Sequence, residues 1–241
     1  TFDEYVSAKA TITQHQSPAD VAIVAMDSAS ARLAGEQGSA VRKYFSSEHA
    51  ADAYVSAGTV YLGSEPLVSS AEVTLKGAHN LENICAASLA LHALGVNRGK
   101  IAEAVKNFSG LPHRLEHVGT FGGVSFYDDS IATTPEPTIA AIASFTEPLV
   151  IILGGSSKSS DFAPLATSLL AAKNLRGVVL IGQEAPRIET SLSSPSFTVS
   201  HASSMQEAVT EAAKLAGSGG VVLLSPACAS FDMFKNYADR G

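Results

Sequence analysis

Apolar residues arrive in two different rhythms along this chain. In its second half they form short unbroken runs, LVIIL at 149–153, GVVLI at 177–181 and GVVLL at 220–224, with a weaker run at 197–200. Between and before these runs the apolar positions recur near helical spacing, at 138–145, 162–172, 184–191 and 204–216. Strands that are apolar throughout are buried on both faces, so their alternation with helices predicts an α/β, doubly wound parallel sheet. Ligands of such sheets sit at the loops that follow the carboxyl ends of the strands. Here those loops are GGSSKSSD at 154–161, Gly182-Gln183, and SPACASFD at 225–232.

The first half is less regular. Phe2, Val6 and Ala10 give a helix over 1–14 one apolar side, with no cap expected at its start. A buried strand is predicted at 21–26, with Asp27 in the loop beyond it, and 33–41 is small and polar. Strands follow at 44–45, 53–62 and 71–75, the last two separated by a loop at 63–66. Gly77-Ala78-His79-Asn80 opens a helix carrying Leu81, Ile84, Cys85, Leu91 and Leu94, which Gly95 stops; a second helix spans 98–108. Residues 109–112 read as a linker. A hairpin then pairs Glu116–Phe121 with Val124–Asp128 across a Gly122-Gly123 turn. It leads through Asp128-Asp129-Ser130 to Thr134 as N-cap and Pro135 at the first helical position. A polar cluster at a domain boundary is where a ligand is expected.

Composition narrows the class. The chain has 241 residues, 46% of them hydrophobic, enough to fill two modest cores. A net charge of -7 argues against a nucleic-acid or anionic-membrane surface, although local Lys and Arg clusters still act at short range. The two cysteines, Cys85 and Cys228, fit no metal-ligand spacing and read as buried thiols of a reducing compartment. No apolar run approaches the roughly 20 residues of a membrane helix, so a cytoplasmic protein is expected. Both ends read as cut, which makes the chain a piece of something longer.

The candidate chemistry is scattered, and each piece has two readings. GGSSKSSD can turn backbone N–H groups and Lys158 toward an anion, or Lys158 is a solvated loop cation; the spacing is not that of a P-loop. Asn80 and Asn83 sit one helical turn apart and can face one ligand, or Asn80 caps the helix. Ser230 is a ligand contact or the N-cap of a helix over 231–237. Arg114 suits a phosphate or lies on the surface. Asp129 suits a ribose diol or caps a turn. Lys9, by itself, is a solvated lysine. Cys228 lacks a histidine within its motif and is better read as a small buried thiol than as a nucleophile.

Together these pieces form an ordered set. The blocks are Gly77-Ala78-His79-Asn80-x-x-Asn83, Leu111-Pro112-His113-Arg114-x-Glu116, Asp129-Ser130-x-Ala132-Thr133 and Leu153-Gly154-Gly155-x-x-Lys158. They are followed by Leu224-Ser225-Pro226-Ala227-Cys228-Ala229-Ser230-x-Asp232-x-Phe234-Lys235-Asn236. In this order and spacing they resemble the Mur ligase family, and the last block resembles most the branch that adds glutamate. The resemblance spans nearly the whole chain. It implies that 1–111 is the C-terminal part of a central ATP-binding domain lacking its P-loop segment. Residues 112–241 would be a Rossmann-like C-terminal domain.

The resemblance also implies a reaction and roles. A substrate carboxylate takes the γ-phosphoryl group of ATP, and the amine of an amino acid displaces phosphate from the acyl phosphate. Asn80 and Asn83 would contact adenine, Arg114 the phosphates and Asp129 the ribose. Thr133, Lys158, Ser230 and Tyr237 would hold the amino acid. Lys9 matches a lysine that the family carbamylates, and only so could it help hold Mg2+, the implied cofactor. The implied partners are ATP, UDP-MurNAc-L-Ala and D-glutamate, for a monomer that binds neither nucleic acid nor membrane; this fragment by itself is expected to be inactive. One departure stands out: Ile131 occupies a position where the family commonly has lysine. That leaves L-glutamate as an alternative acceptor. A folylpolyglutamate synthase-like ligase is a rival that the Ser-Pro-Ala-Cys-Ala-Ser block disfavours. A non-catalytic nucleotide- or amino-acid-binding module is another, should the chain natively start near Thr1.

Overall fold

The computed structural model describes residues 1–241 and divides into two units, Thr1–Ser109 and Gly110–Gly241. No helix in it is long and apolar enough to cross a membrane.

The first unit is built on a five-stranded sheet of order β1 (Val21–Ala25), β2 (Val41–Ser46), β3 (Ala53–Ser56), β4 (Thr59–Leu62) and β5 (Glu65–Ser69). The first three strands run parallel and the last three form an antiparallel meander. Helices α1 (Phe2–Gln14), α2 (Ala29–Gly35), α3 (Ala78–Ala93) and α4 (Arg98–Asn107) complete it. Its larger core joins Val60, Leu62 and Val68 of the sheet to Ile84, Cys85 and Leu89 of α3 and to Ile101 of α4.

Several expectations fail here for local reasons. The loop expected at 63–66 shrinks to a turn at Gly63-Ser64, and β5 already begins at Glu65. Because β5 is the edge strand, Pro66 costs no ladder hydrogen bond with a further neighbour, and Leu67 and Val68 are buried. The strand expected at 71–75 is displaced by a 3-10 turn, Ser70–Glu72, where Glu72 accepts from the Ser69 N–H and hydroxyl. Within 33–41, α2 begins earlier, capped by the Ser28 hydroxyl accepting from the Ala31 N–H. Thr1 does cap α1, accepting from the Glu4 N–H. The buried side of α1 is Ala10 and Thr13, whereas Phe2 is exposed, because the Thr13 hydroxyl reaches the Ala34 carbonyl of α2. On α3, Leu91 and Leu94 are exposed although their spacing suggested core.

The second unit is the doubly wound sheet its pattern predicts. Its strands are β6 (Glu116–Phe121), β7 (Val124–Asp128), β8 (Leu149–Gly154), β9 (Leu175–Ile181), β10 (Thr198–His201) and β11 (Val221–Leu224). They lie in the order β10-β9-β8-β11-β7-β6, with only the β6–β7 hairpin antiparallel. Residues 149 to 153 of β8 are wholly buried. Leu149, Ile151 and Leu153 join one core with α5 (Pro135–Ile142), α6 (Ala163–Ala171) and α7 (Ala185–Ser191). Val150 and Ile152 join the opposite core with Ala208, Ala212 and Ala216 of α8 (Met205–Ala216), small residues one turn apart that let the helix lie close. The Gly122-Gly123 turn has positive φ at both residues, as a tight hairpin requires. At the end of β8, Gly154 has φ +115°, and a Cβ there would overlap the Ile181 carbonyl oxygen.

This packing sets a stability expectation. Ile151→Val should cost about 1 kcal/mol and Ile151→Ala about 3–4 kcal/mol in urea unfolding, the second including an unfilled cavity. Equal, small losses would mean that the β8 core relaxes freely.

Candidate functional site

The carboxyl ends of β8, β9 and β11 deliver three loops to one edge of the second unit, and main-chain hydrogen bonds stitch them together. The Gly154 N–H donates to the Pro226 carbonyl at 2.9 Å and the Ser156 N–H to the Ala229 carbonyl at 2.8 Å. The Glu184 N–H donates to the Gly155 carbonyl at 2.9 Å, and the Gln183 N–H to the Asp232 carboxylate at 2.9 Å. Asp232 Oδ1 is buried without a partner.

Lys158 and Thr133 meet at this edge. The lysine, exposed on the loop after β8, donates to the Thr133 hydroxyl at 3.0 Å. A cation beside a hydroxyl is a pair suited to a carboxylate. Ser230, in the loop after β11, is buried. It does not cap a helix: residues 231–236 form turns, in which the Met233 and Phe234 N–H groups donate to the Ser230 carbonyl. The helix starts later, as α9 (Tyr237–Arg240), capped by the Asn236 side chain. Tyr237 is 40% exposed and meets the His113 ring edge-on at 6.0 Å.

Arg114 is exposed between two residues in the left-handed region, His113 at φ 62° and Leu115 at φ 46°. Their side chains and backbone are pinned from beneath. His113 Nδ1 lies 2.6 Å from the Asp128 carboxylate, the His113 N–H donates to Glu116 at 2.8 Å, and the Leu115 N–H donates to Asp129 at 3.2 Å.

Asp129 serves as a tie between segments and not as the cap of its own turn. It is only 4% exposed; Oδ1 takes the Leu115 N–H and Oδ2 the Ser225 hydroxyl at 2.6 Å, so it ties β7 to the loop after β11. Burial pushes its carboxyl up to about 6, against the pull of the Ser225 and Leu115 hydrogen bonds and the Arg114 charge. Each oxygen accepts one hydrogen bond here, and a carboxylate oxygen has room for a second.

Arg240 escaped the sequence reading altogether, since a lone arginine after a polar stretch gives no periodic or motif signal. It is 3% exposed. Its Nε donates to the Ser130 hydroxyl at 2.9 Å, one terminal nitrogen to the Ser130 carbonyl at 2.8 Å and the other to the Cys228 carbonyl at 3.0 Å. Ser130 in turn donates to the Tyr237 carbonyl at 2.7 Å. Burial lowers the guanidinium to about 10, which leaves it charged at neutral pH. Cys228 is held as a thiol, its ionisation pushed up to about 12 by burial, which removes it as a nucleophile.

In the first unit, Asn80 lies at the third position of α3, and Gly77, not Asn80, is the N-cap. The Asn80 amide donates to the Lys76 carbonyl at 2.7 Å and accepts from the Asn83 amide at 3.2 Å, so the two side chains act as one array. Asn83 is exposed beside the buried Asn80. Lys9 lies with its nitrogen 5.5 Å from the Tyr5 ring centroid. As an ammonium over an aromatic face it offers no ligand to a hard cation, so an unmodified Lys9 does not fit a Mg2+ site.

Residues 113–228 match the family model described as Mur ligase, glutamate ligase domain, and residues 1–91 that described as Mur ligase middle domain. The chain is 38% identical over 248 aligned residues to the UDP-N-acetylmuramoylalanine–D-glutamate ligase of Desulfitobacterium hafniense (strain Y51), covering 100% of this chain and 54% of that protein. It is 40% identical over 247 residues to the ligase of the same name from Aromatoleum aromaticum (strain DSM 19018 / LMG 30748 / EbN1), covering 99% of this chain and 52% of that protein. The chain thus spans about half the length of the curated relatives it matches. The crystal structure of MurF from Acinetobacter baumannii shares the fold at TM-score 0.73 and 21% identity, covering 93% of this chain and 52% of that one.

The buried Asp129 carries a pH signature. Its folded-state pKa lies above the ordinary 3.8, so the protonated form favours folding. That stability is fully present below pH 4 and is lost as the pH rises through about 6. The loss should amount to roughly 3 kcal/mol in urea titrations between pH 4 and 7. Asp129→Asn, neutral and of the same shape, should flatten that slope; an unchanged slope would assign it to another group.

Proposed function

The chain belongs to the Mur ligase family, and we propose from this that it forms the acceptor-binding half of an ATP-dependent ligase of peptidoglycan precursor synthesis, joining D-glutamate to UDP-MurNAc-L-Ala. The observation that carries this reading is the Lys158–Thr133 pair at the loop edge of the doubly wound sheet. An α-amino acid with a second carboxylate needs a cation and hydroxyl donors held apart from the phosphates, and the proposed acceptor set supplies both.

In this reading residues 1–111 act as the C-terminal part of the central ATP-binding domain and 112–241 as the amino-acid-binding domain. Asn80 and Asn83 present amide groups to adenine, Asn83 from the surface and Asn80 by orienting it. Arg114, projected from its pinned turn, meets the ATP phosphates and stabilises charge on the transferring phosphoryl group. Thr133, Lys158, Ser230 and Tyr237 bind the amino acid so that its amine faces the acyl phosphate, which loses phosphate as the amide bond forms. Mg2+ accompanies ATP in such chemistry; Lys9 joins its binding only as a carbamate, and no step here depends on it. The setting is the cytoplasm.

A second reading keeps the reaction and changes the acceptor to L-glutamate. Ile131 favours it, because this apolar side chain stands between Ser130 and Thr133 where the resemblance leads one to expect a cation.

The test uses the full-length gene product with ATP, Mg2+ and UDP-MurNAc-L-Ala, following phosphate release with each glutamate enantiomer offered separately. Release only with D-glutamate is expected; preference for L-glutamate would transfer the proposal to the second reading, and no release with either would end both. Lys158→Ala should raise the KM for glutamate about 10- to 100-fold while leaving that for ATP within about twofold, the size of one charged hydrogen-bond partner. Equal effects on the two KM values would remove Lys158 from the acceptor site.

A further inference from the structure

Four side chains of the proposed acceptor site sit on four separate stretches of chain, and one buried group touches or abuts all four stretches. Arg240 bonds both the hydroxyl and the carbonyl of Ser130, three residues before Thr133. It bonds the carbonyl of Cys228, two residues before Ser230. It lies three residues after Tyr237, whose carbonyl accepts a hydrogen bond from the Ser130 hydroxyl. It also packs on Gly155, three residues before Lys158: a Cβ there would come within 3.2 Å of a terminal Arg240 nitrogen and overlap the Ala229 carbonyl.

We propose that Arg240 is the positioning residue of the acceptor site: its guanidinium fixes the spacing of Thr133, Lys158, Ser230 and Tyr237 and thereby sets the affinity for the amino acid. The proposal rests on the ligase reading given above. Three features single this residue out. None of the three oxygens it bonds is a carboxylate, so a charge has been buried for its geometry and not for an ion pair. The planar fork reaches three oxygens on two loops at once, which a lysine point charge cannot do. Arg240 itself belongs to neither of the two cores that flank β8, and it meets one of them only through the Cys228 main chain, so its loss should loosen the site more than the fold.

The experiment compares Arg240→Lys and Ser130→Ala with wild type in the full-length gene product, measuring melting temperature, kcat and the KM for glutamate and for ATP. Arg240→Lys should raise the KM for glutamate about tenfold or more, as expected for loss of charged hydrogen bonds, with the KM for ATP within about twofold. Ser130→Ala removes only the hydroxyl relay and should raise the glutamate KM about threefold. The double variant should fall short of the product of the two, since both act on one network. A lowered melting temperature with both KM values unchanged, or with both raised together, would overturn the clamp. Should Arg240→Lys fail to fold, an unaltered glutamate KM in Ser130→Ala would overturn it as well. Wild-type protein that releases no phosphate with either glutamate would overturn the ligase reading and the clamp with it; an active wild type without the KM split overturns the clamp alone.

Discussion

A strand buried on both faces has only one place to be polar, its ends. β8 is such a strand, its five residues from Leu149 to Leu153 all at 0% exposure and divided between two cores. The chemistry of the loop after it, with Lys158, follows from that constraint. Glycines at the carboxyl end let the chain leave the sheet in tight contact with the β9 end. The polar run after them is the first stretch free to meet solvent. β11 repeats the pattern, and its loop folds back on that of β8 through main-chain hydrogen bonds. The site is a by-product of how the sheet is covered.

The buried polar groups then decide which of the loop side chains point outward. Asp129 and Arg240 carry opposite charges, and neither faces solvent. Asp129 is eased toward its neutral form and spends its oxygens on Leu115 and Ser225. Arg240 keeps its charge and disperses it over three neutral oxygens. With these two holding the loops from inside, Lys158, Thr133 and Arg114 are left available at the surface. A polar residue deep in such a site is therefore more informative as a brace than as a ligand contact.

Much of this was legible in the chain. The hairpin bounds were readable from Gly122-Gly123 and alternating β-prone residues, and the α/β alternation from continuous apolar runs, because both are local patterns. Ordered blocks, and not any single residue, singled out Asn80, Asn83, Thr133 and Lys158 as candidates, and the fold pairs Asn80 with Asn83 and Thr133 with Lys158. What escaped were properties that depend on tertiary partners. The edge position of β5 excuses Pro66, and no local rule says which strand will be at an edge. Asp129 looked like a free acid because the sequence does not reveal that Ser225, far along the chain, comes to lie against it. Arg240 gave no signal for the same reason: its three acceptors lie in segments 10 or more residues away.

Three of the stitches between the loops are made by backbone N–H and carbonyl groups, Gly154 to Pro226, Ser156 to Ala229 and Glu184 to Gly155, beside two that use the side chains of Asp232 and Ser156. Main-chain bonds of this kind are blind to side-chain identity. To the extent that a loop is held in that way, its architecture is separate from its chemistry: an exposed side chain such as that of 158 can be exchanged while the main-chain frame stays put. Such loops can change what they present to solvent one residue at a time, while the sheet beneath them stays folded.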